Sequence, residues 1–204
     1  MITNDPAIAV IGAGSWGTAL AIQFARTGRP TFLWGNEADH MERLVSDRIN
    51  TEFLPGADFP PALVVEPSLS RALSAAADVL IAVPSHAFRE VLKRVKPLLQ
   101  PGGRLCWATK GFELESGKLP HEVATEILGE EVPKAVLSGP TFAKEVGQGL
   151  PTAMTVASTD EAFANDIAAS ISSEEFRAYT TADMIGVEVG AAVKNVLAIG
   201  AGIS

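Results

Sequence analysis

Cysteine is almost missing from this chain. Cys106 is the only one in 204 residues, so no disulfide can close within it and no multi-cysteine metal site can be built. A reducing compartment suits such a sequence, and no metal is expected. Basic residues are scarce as well. Lys and Arg number 16 against 24 Asp and Glu, a formal net charge of -8, and that field argues against nucleic acid or an anionic membrane as a main partner. A phosphorylated small molecule would need a local basic site set against the overall field. Apolar runs of membrane length are lacking too. The nearest candidate, 185–203, is broken by Glu188, Lys194 and Asn195, and charges at mid-membrane depth are costly, so no membrane insertion is expected. Residues 1–6 hold no cationic stretch leading into an apolar one, so no secretory signal is expected and the cytoplasm is the default location.

What is present is a regular alternation. Short apolar runs at 7–11, 31–34, 63–65, 78–83, 105–108, 135–137, 153–157 and 176–179 read as strands. Between them 15–26, 38–48, 69–76, 86–95, 119–128, 142–146 and 161–171 read as helices. A long helix begins near Asp183, whose carboxylate can cap it. The stretch 51–61, with three prolines and a glycine, reads as loop. Apolar strands alternating with helices imply an α/β chain with a Rossmann-type, doubly wound, mostly parallel sheet covered on both faces. The best boundary lies at 180–183. Residues 1–180 then form one domain, and 181–204 the first helix of a second, all-α domain that reads as truncated at Ser204. That helix would expose apolar surface unless a second domain or another chain covered it; a homodimer is compatible with this.

The first strand and helix are joined by Gly12-Ala13-Gly14-Ser15-Trp16-Gly17. In that context a Gly-x-Gly-x-x-Gly turn binds the pyrophosphate of a dinucleotide. Gly12 permits the bend, Gly14 lets backbone approach phosphate, and Gly17 lets helix pack on strand. The helix start at Ser15 and Trp16 offers unpaired N–H groups and the positive dipole end. An NAD site usually carries an acid at the end of the second strand. Here Gly35 and Asn36 stand there, so nothing repels a 2′-phosphate and NADPH is favoured over NADH. Arg29 and Arg48 are candidate phosphate partners, and Glu37 could serve NADH if the strand ran longer.

Ligands on parallel sheets bind at the carboxyl ends of the strands. Three turns stand there. In Val83-Pro84-Ser85-His86, Ser85 can cap the next helix; the turn is read as lining the cofactor, with a plain cap and an exposed histidine as the alternative. In Thr109-Lys110-Gly111 the ammonium can meet an anion or simply be solvated. In Ser138-Gly139-Pro140-Thr141, Thr141 is read as a helix cap. Lys194 sits in the apolar helix with Gly190, Ala191, Leu197 and Ala198 three or four residues away, none able to pair with it. It either snorkels to water or is buried with a lowered pKa suited to acid–base work. Gly186 and Gly190 let a ligand or backbone come close to that helix.

Taken together, Val10 to Leu20, Phe53-Leu54-Pro55, Val83-Pro84-Ser85-His86, Trp107 to Gly111, Leu137 to Glu145 and Val193-Lys194-Asn195-Val196 resemble the bacterial NAD(P)-dependent glycerol-3-phosphate dehydrogenases over essentially the whole chain. The resemblance implies an oxidoreductase that reversibly reduces dihydroxyacetone phosphate to sn-glycerol 3-phosphate for phospholipid synthesis. It implies cofactor contacts at Ser15, Trp16, Asn36, Lys110 and Ala143, substrate contacts at Lys110, Gly139 and Thr141, and Lys194 as the catalytic lysine. Members often carry a basic residue where Asn36 stands. They also continue into a helical domain that completes the substrate site, so these 204 residues alone are expected to bind cofactor weakly and not to turn over. Two other readings are weighed: a 2-hydroxyacid or ketopantoate-type reductase, which should lack the Thr109-Lys110-Gly111 and Ser138-Gly139-Pro140-Thr141 pair, and a non-catalytic dinucleotide-binding module, which has no need of Lys194.

Overall fold

A computed structural model of the chain describes residues 6–202, with side chains described through residue 193. In chain order the elements are β1 (Ile8–Ile11), α1 (Ser15–Arg26), β2 (Thr31–Trp34), α2 (Ala38–Asp47), β3 (Leu63–Val65), α3 (Leu69–Ser74), β4 (Asp78–Ile81), α4 (Ser85–Val95), β5 (Arg104–Trp107), α5 (Pro120–Leu128), β6 (Lys134–Ser138), α6 (Ala143–Gln148), β7 (Thr152–Ala157), α7 (Glu161–Ile171), β8 (Phe176–Thr181) and α8 (Met184–Gly202). A single 3-10 turn, Lys96–Leu98, follows α4. The strands form one sheet in the order β3-β2-β1-β4-β5-β6-β7-β8. All neighbours are parallel except β6 and β7. The sheet is therefore Rossmann-type and mostly parallel, as the alternation implies. The chain reverses direction across the sheet between β1 and β4, so their carboxyl ends flank the crevice where such folds take ligands.

The pleat explains why β1 is apolar at every position. Ile8 and Val10 face one cluster with Leu20, Phe24, Leu33 and Phe163. Ala9 and Ile11 face a second with Val79, Phe88, Leu92 and Trp107. A strand covered on both sides must be apolar throughout. Each such Leu, Ile or Phe contributes about 1.5–3 kcal/mol by leaving water. Met184 and Val187 of α8 join the second cluster, so the long helix begins against the sheet rather than beside it. Asp183 caps it, its Oδ1 accepting from the Gly186 N–H at 2.8 Å.

Arg29 is not available to a phosphate. It is 2% exposed, pairs with the fully buried Asp78, and donates Nη1 to Ser170 Oγ at 2.8 Å. Asp78 opens β4, at the amino end of the strands and opposite the ligand turns; Arg104 donates to it through Nε at 2.7 Å and Nη2 at 2.9 Å. Arg48 is also engaged: its guanidinium donates to the carbonyls of Pro60 (2.9 Å) and Leu63 (3.1 Å), tying down the proline-rich loop.

Candidate functional site

The glycine turn has the geometry its sequence demands. Gly12 has φ +125°, and a Cβ on it would strike the carbonyl of Ala82. A Cβ on Gly17 would overlap the carbonyl of Gly12, so these two glycines answer to the protein's own packing. Gly14 differs: a Cβ there would meet no protein heavy atom within 4 Å. Gly14 is the N-cap of α1 and no side chain caps the helix, which leaves its first N–H groups facing open space. Asn50 holds the turn from below. Its Nδ2 donates to the Ala13 carbonyl at 2.9 Å and to Thr18 Oγ1 at 2.8 Å, and its Oδ1 lies 3.2 Å from His40 Nε2.

A cavity of about 590 Å³ opens from this turn toward the end of β2, lined among others by Gly12, Gly14, Asn36, His86 and Arg94. The Val83-Pro84-Ser85-His86 turn forms one wall, with Val83, Pro84 and His86 in the lining. Ser85 does not cap α4: the helix starts at Ser85 itself, with Pro84 as N-cap. β2 ends at Trp34, and a Cβ on Gly35 would sit 2.8 Å from Ala13 Cβ and 3.0 Å from Met41 Sδ. No acidic side chain fits there, whatever the ligand. Glu37 lies beyond the strand end, in the same lining.

A second cavity, about 230 Å³, lies between the turns after β5 and β6 and the start of α8. Lys110, Ser138, Gly139 and Thr155 form one side, Gly186 and Gly190 the other. Lys110 Nζ lies 3.5 Å from the Gly139 carbonyl and 5.7 Å from the centroid of the Trp16 ring, so one ammonium touches both the helix of the glycine turn and the second cavity. Thr109 braces this turn by donating Oγ1 to the Val83 carbonyl at 2.7 Å. Ala143, the first residue of α6, packs with Trp16 against the core. Arg26 secures α6 to α1 through the Val146 carbonyl at 2.7 Å.

Two buried side-chain polar atoms have no hydrogen-bond partner among the described residues: Trp16 Nε1 and Thr141 Oγ1. Buried polar atoms are ordinarily satisfied, and both orphans stand in the lobe around Lys110. Thr141 is not the cap the sequence suggests. Phe142 occupies the N-cap position of α6, and Glu145 reaches back to accept from its N–H at 3.4 Å. The hydroxyl of Thr141 is thereby left for something else.

Helix α8 is pinned at its start. Glu188, 3% exposed, accepts from Trp107 Nε1 at 2.9 Å and from the His121 N–H at 3.0 Å, and its Oε2 lies 2.5 Å from His121 Nδ1. Burial pushes its carboxyl above the usual carboxylate range, and the bonds from His121 and Trp107 draw it back. Lys194 stands four residues beyond Gly190 on the same helix; its side chain lies outside the described residues.

The structure thus gathers Gly12, Gly14 and Asn36 around the larger cavity, Ser15, Trp16 and Gly17 at the start of α1, and Lys110 and Gly139 around the smaller one. Arg94 was not anticipated. It comes from the last turn of α4 and donates Nη1 to Asn36 Oδ1 at 2.8 Å across 58 residues of sequence, a contact no local pattern announces. Among the described residues no group of three or more His, Cys, Asp or Glu is placed to hold a metal, and no helix is long and apolar enough to cross a membrane.

Comparison with known proteins adds to this geometry. The family model of the NAD-dependent glycerol-3-phosphate dehydrogenase N-terminus matches residues 7–164. A glycerol-3-phosphate dehydrogenase [NAD(P)+] of Vibrio campbellii is 55% identical over 98% of this chain and 59% of its own length. One of Salmonella paratyphi B is 52% identical over 100% of this chain and 60% of its own. Among solved structures, a glycerol-3-phosphate dehydrogenase from Coxiella burnetii superimposes with a TM-score of 0.92 at 45% identity, covering 98% of this chain and 61% of that one. The chain spans about 60% of the length of the curated relatives it matches.

Proposed function

The chain belongs to the NAD-dependent glycerol-3-phosphate dehydrogenase family, and on that premise we propose that the protein reversibly reduces dihydroxyacetone phosphate to sn-glycerol 3-phosphate with NADPH or NADH, supplying glycerophospholipid synthesis in the cytoplasm. In this reading residues 1–180 are the dinucleotide-binding domain and 181–204 begin a helical substrate domain. The substrate is a small phosphorylated molecule; nucleic acid and membrane take no part, and assembly as a homodimer is compatible with the reading.

One observation carries the proposal. The Lys110 ammonium lines the smaller cavity beside the Gly139 carbonyl and stands 5.7 Å from the centroid of the Trp16 ring, on the helix of the glycine turn. A cation so placed can serve a phosphorylated ketone and a dinucleotide at once. The residues fit a dinucleotide. Gly14 leaves a space that a Cβ would fill, beside helix N–H groups that favour an anion, and Trp16 Nε1 and Thr141 Oγ1 wait for partners. We assign Gly12, Gly14, Ser15, Trp16, Gly17, Asn36, Lys110 and Ala143 to the dinucleotide, and Lys110, Gly139, Thr141 and Lys194 to the substrate.

The reduced dinucleotide, when bound, supplies the hydride that makes the ketone carbon a secondary alcohol. The protein's own part is the proton. Lys194 gives one to the carbonyl oxygen and, in reverse, takes one from the alcohol, a contribution of roughly 10²–10⁴-fold. Lys110 and the α1 terminus would neutralise phosphate charge when the dinucleotide and substrate are bound.

The test uses the full-length protein, following loss of NADPH absorbance with dihydroxyacetone phosphate. Turnover is expected in the parent and a loss of about 10²-fold or more in Lys194→Ala, with NADPH binding retained. No oxidation by the parent refutes the enzyme assignment, and binding without turnover would favour a non-catalytic module. Undiminished turnover in Lys194→Ala refutes the role given to that lysine alone.

A further inference from the structure

Resting on the dinucleotide reading above, we infer that Arg94 reads the 2′ position of the adenosine ribose and makes the protein prefer the 2′-phosphorylated dinucleotide. In a doubly wound sheet whose glycine turn takes the pyrophosphate, the adenosine ribose lies beyond the end of the second strand. Here that end is Trp34, followed by Gly35 and Asn36. Packing of Ala13 and Met41 against Gly35 excludes a carboxylate from the first position. The place is served instead from α4. Among the described residues Arg94 is the only Lys or Arg in the lining of the larger cavity.

Its guanidinium is held in two ways. Nη1 donates to Asn36 Oδ1 at 2.8 Å, and the guanidinium carbon stands 5.0 Å from the centroid of the Trp34 ring. Trp34 is itself fixed, 5% exposed with Nε1 donating to the Pro67 carbonyl at 3.1 Å. A planar cation laid on an immobile indole keeps its orientation. Arg29, Arg43, Arg71, Arg89 and Arg104 each pair with a carboxylate. No carboxylate lies within ion-pair reach of Arg94 among the described residues. Asn36 takes one donor and orients the fork, so further donors remain for an anion, and phosphate is an anion whose geometry a guanidinium fork matches. Two acids share the lining, Glu37 and Glu90. Glu90 is taken up by Lys93 at 2.6 Å. Glu37 is the group left to favour a free ribose hydroxyl, and Arg94 outweighs it because a phosphate offers a charge where a hydroxyl offers only a dipole.

The experiment titrates the full-length protein with NADPH, NADH, 2′,5′-ADP and 5′-ADP by fluorescence and calorimetry, for the parent, Arg94→Gln and Arg94→Lys. Parent affinity should be higher for each 2′-phosphorylated probe. Arg94→Gln should weaken NADPH and 2′,5′-ADP by about 10-fold or more, the cost of a lost charge-assisted bond, and leave NADH and 5′-ADP unchanged. Arg94→Lys should fall between, since the charge stays and the fork is lost. Thermal melts of both variants should match the parent, the side chain being exposed. An equal loss for phosphorylated and unphosphorylated probes, or a parent without preference, overturns the inference while leaving the dinucleotide reading intact. A parent that binds none of the four overturns both.

Discussion

Replacing Gly14 by alanine separates ligand binding from folding. Gly14 has φ -74° and ψ -176°, a conformation any residue adopts, and the added methyl group meets no protein atom. Removing glycine's freedom from the unfolded chain contributes about 0.4–1 kcal/mol. Alanine is the poorer N-cap, at a cost of a similar few tenths to one kcal/mol. The two nearly cancel, and at about 2–4 °C per kcal/mol the melting temperature should stay within a few degrees of the parent. Binding should not survive as well. The methyl group stands where a phosphate must approach the first N–H groups of α1, and charge-assisted hydrogen bonds there are worth about 1.5–3 kcal/mol. At 1.4 kcal/mol per decade that is about a 10- to 150-fold rise in the Kd for NADPH. Gly12→Ala is the internal control. Its φ of +125° and the clash with the Ala82 carbonyl combine about 1–3 kcal/mol of backbone strain with a similar overpacking term, so it should melt well below the parent. Denaturant melts and NADPH fluorescence titrations on the three proteins decide the matter. A Gly14→Ala protein that binds NADPH like the parent, or one that unfolds like Gly12→Ala, would refute the reasoning.

Two further outcomes follow from the ion pairs. Asp78→Ala removes the carboxylate paired with the buried Arg29, and an uncompensated buried cation costs about 3–5 kcal/mol; urea midpoints should fall accordingly, and Asp78→Ala with Arg29→Met should recover much of the loss. Hydrogen bonds from Arg89 hold the Glu113 carboxyl at about 2. A depressed carboxylate stabilises the fold above the unfolded value near 4.3 and loses that contribution as pH falls toward 2. Because Arg89 is partly exposed the term is about 1 kcal/mol, and Glu113→Gln should flatten the acid limb of the stability–pH curve between those values; an unchanged limb would show the pair to be inert.

Much of this architecture is legible in the residues. The apolar β1 and β4 and the spacing of α1 announce a sheet covered on both sides, and the glycines between β1 and α1 announce the tight turn found there. What local rules misjudge is competition between neighbours. Thr141 has a capping side chain, yet Phe142 takes the cap position because Glu145 already satisfies its N–H. Ser85 begins α4 rather than capping it because Pro84, with its fixed φ, fits the N-cap. Among the charged residues sequence fails for another reason. Arg29 and Arg48 are cations whose partners sequence does not show: they are consumed by Asp78 and by the carbonyls of Pro60 and Leu63. Arg94 and Asn50 reach the site through contacts spanning 58 and 37 residues. Only the packing of α4 and of the 51–61 loop against the sheet brings them there.

The bond set around Glu188 has a mechanical meaning. Trp107 belongs to a strand of the sheet and His121 to α5, a helix packed on it, so the opening turns of α8 are bonded to the sheet and to its covering layer at once. Two residues beyond Glu188 stands Gly190, which has no side chain to pack and where an added Cβ would meet nothing within 4 Å. That point borders the smaller cavity and comes one turn before Lys194. On the role proposed above for Lys194, a tilt of the helix there would change the cavity and the place of that lysine together.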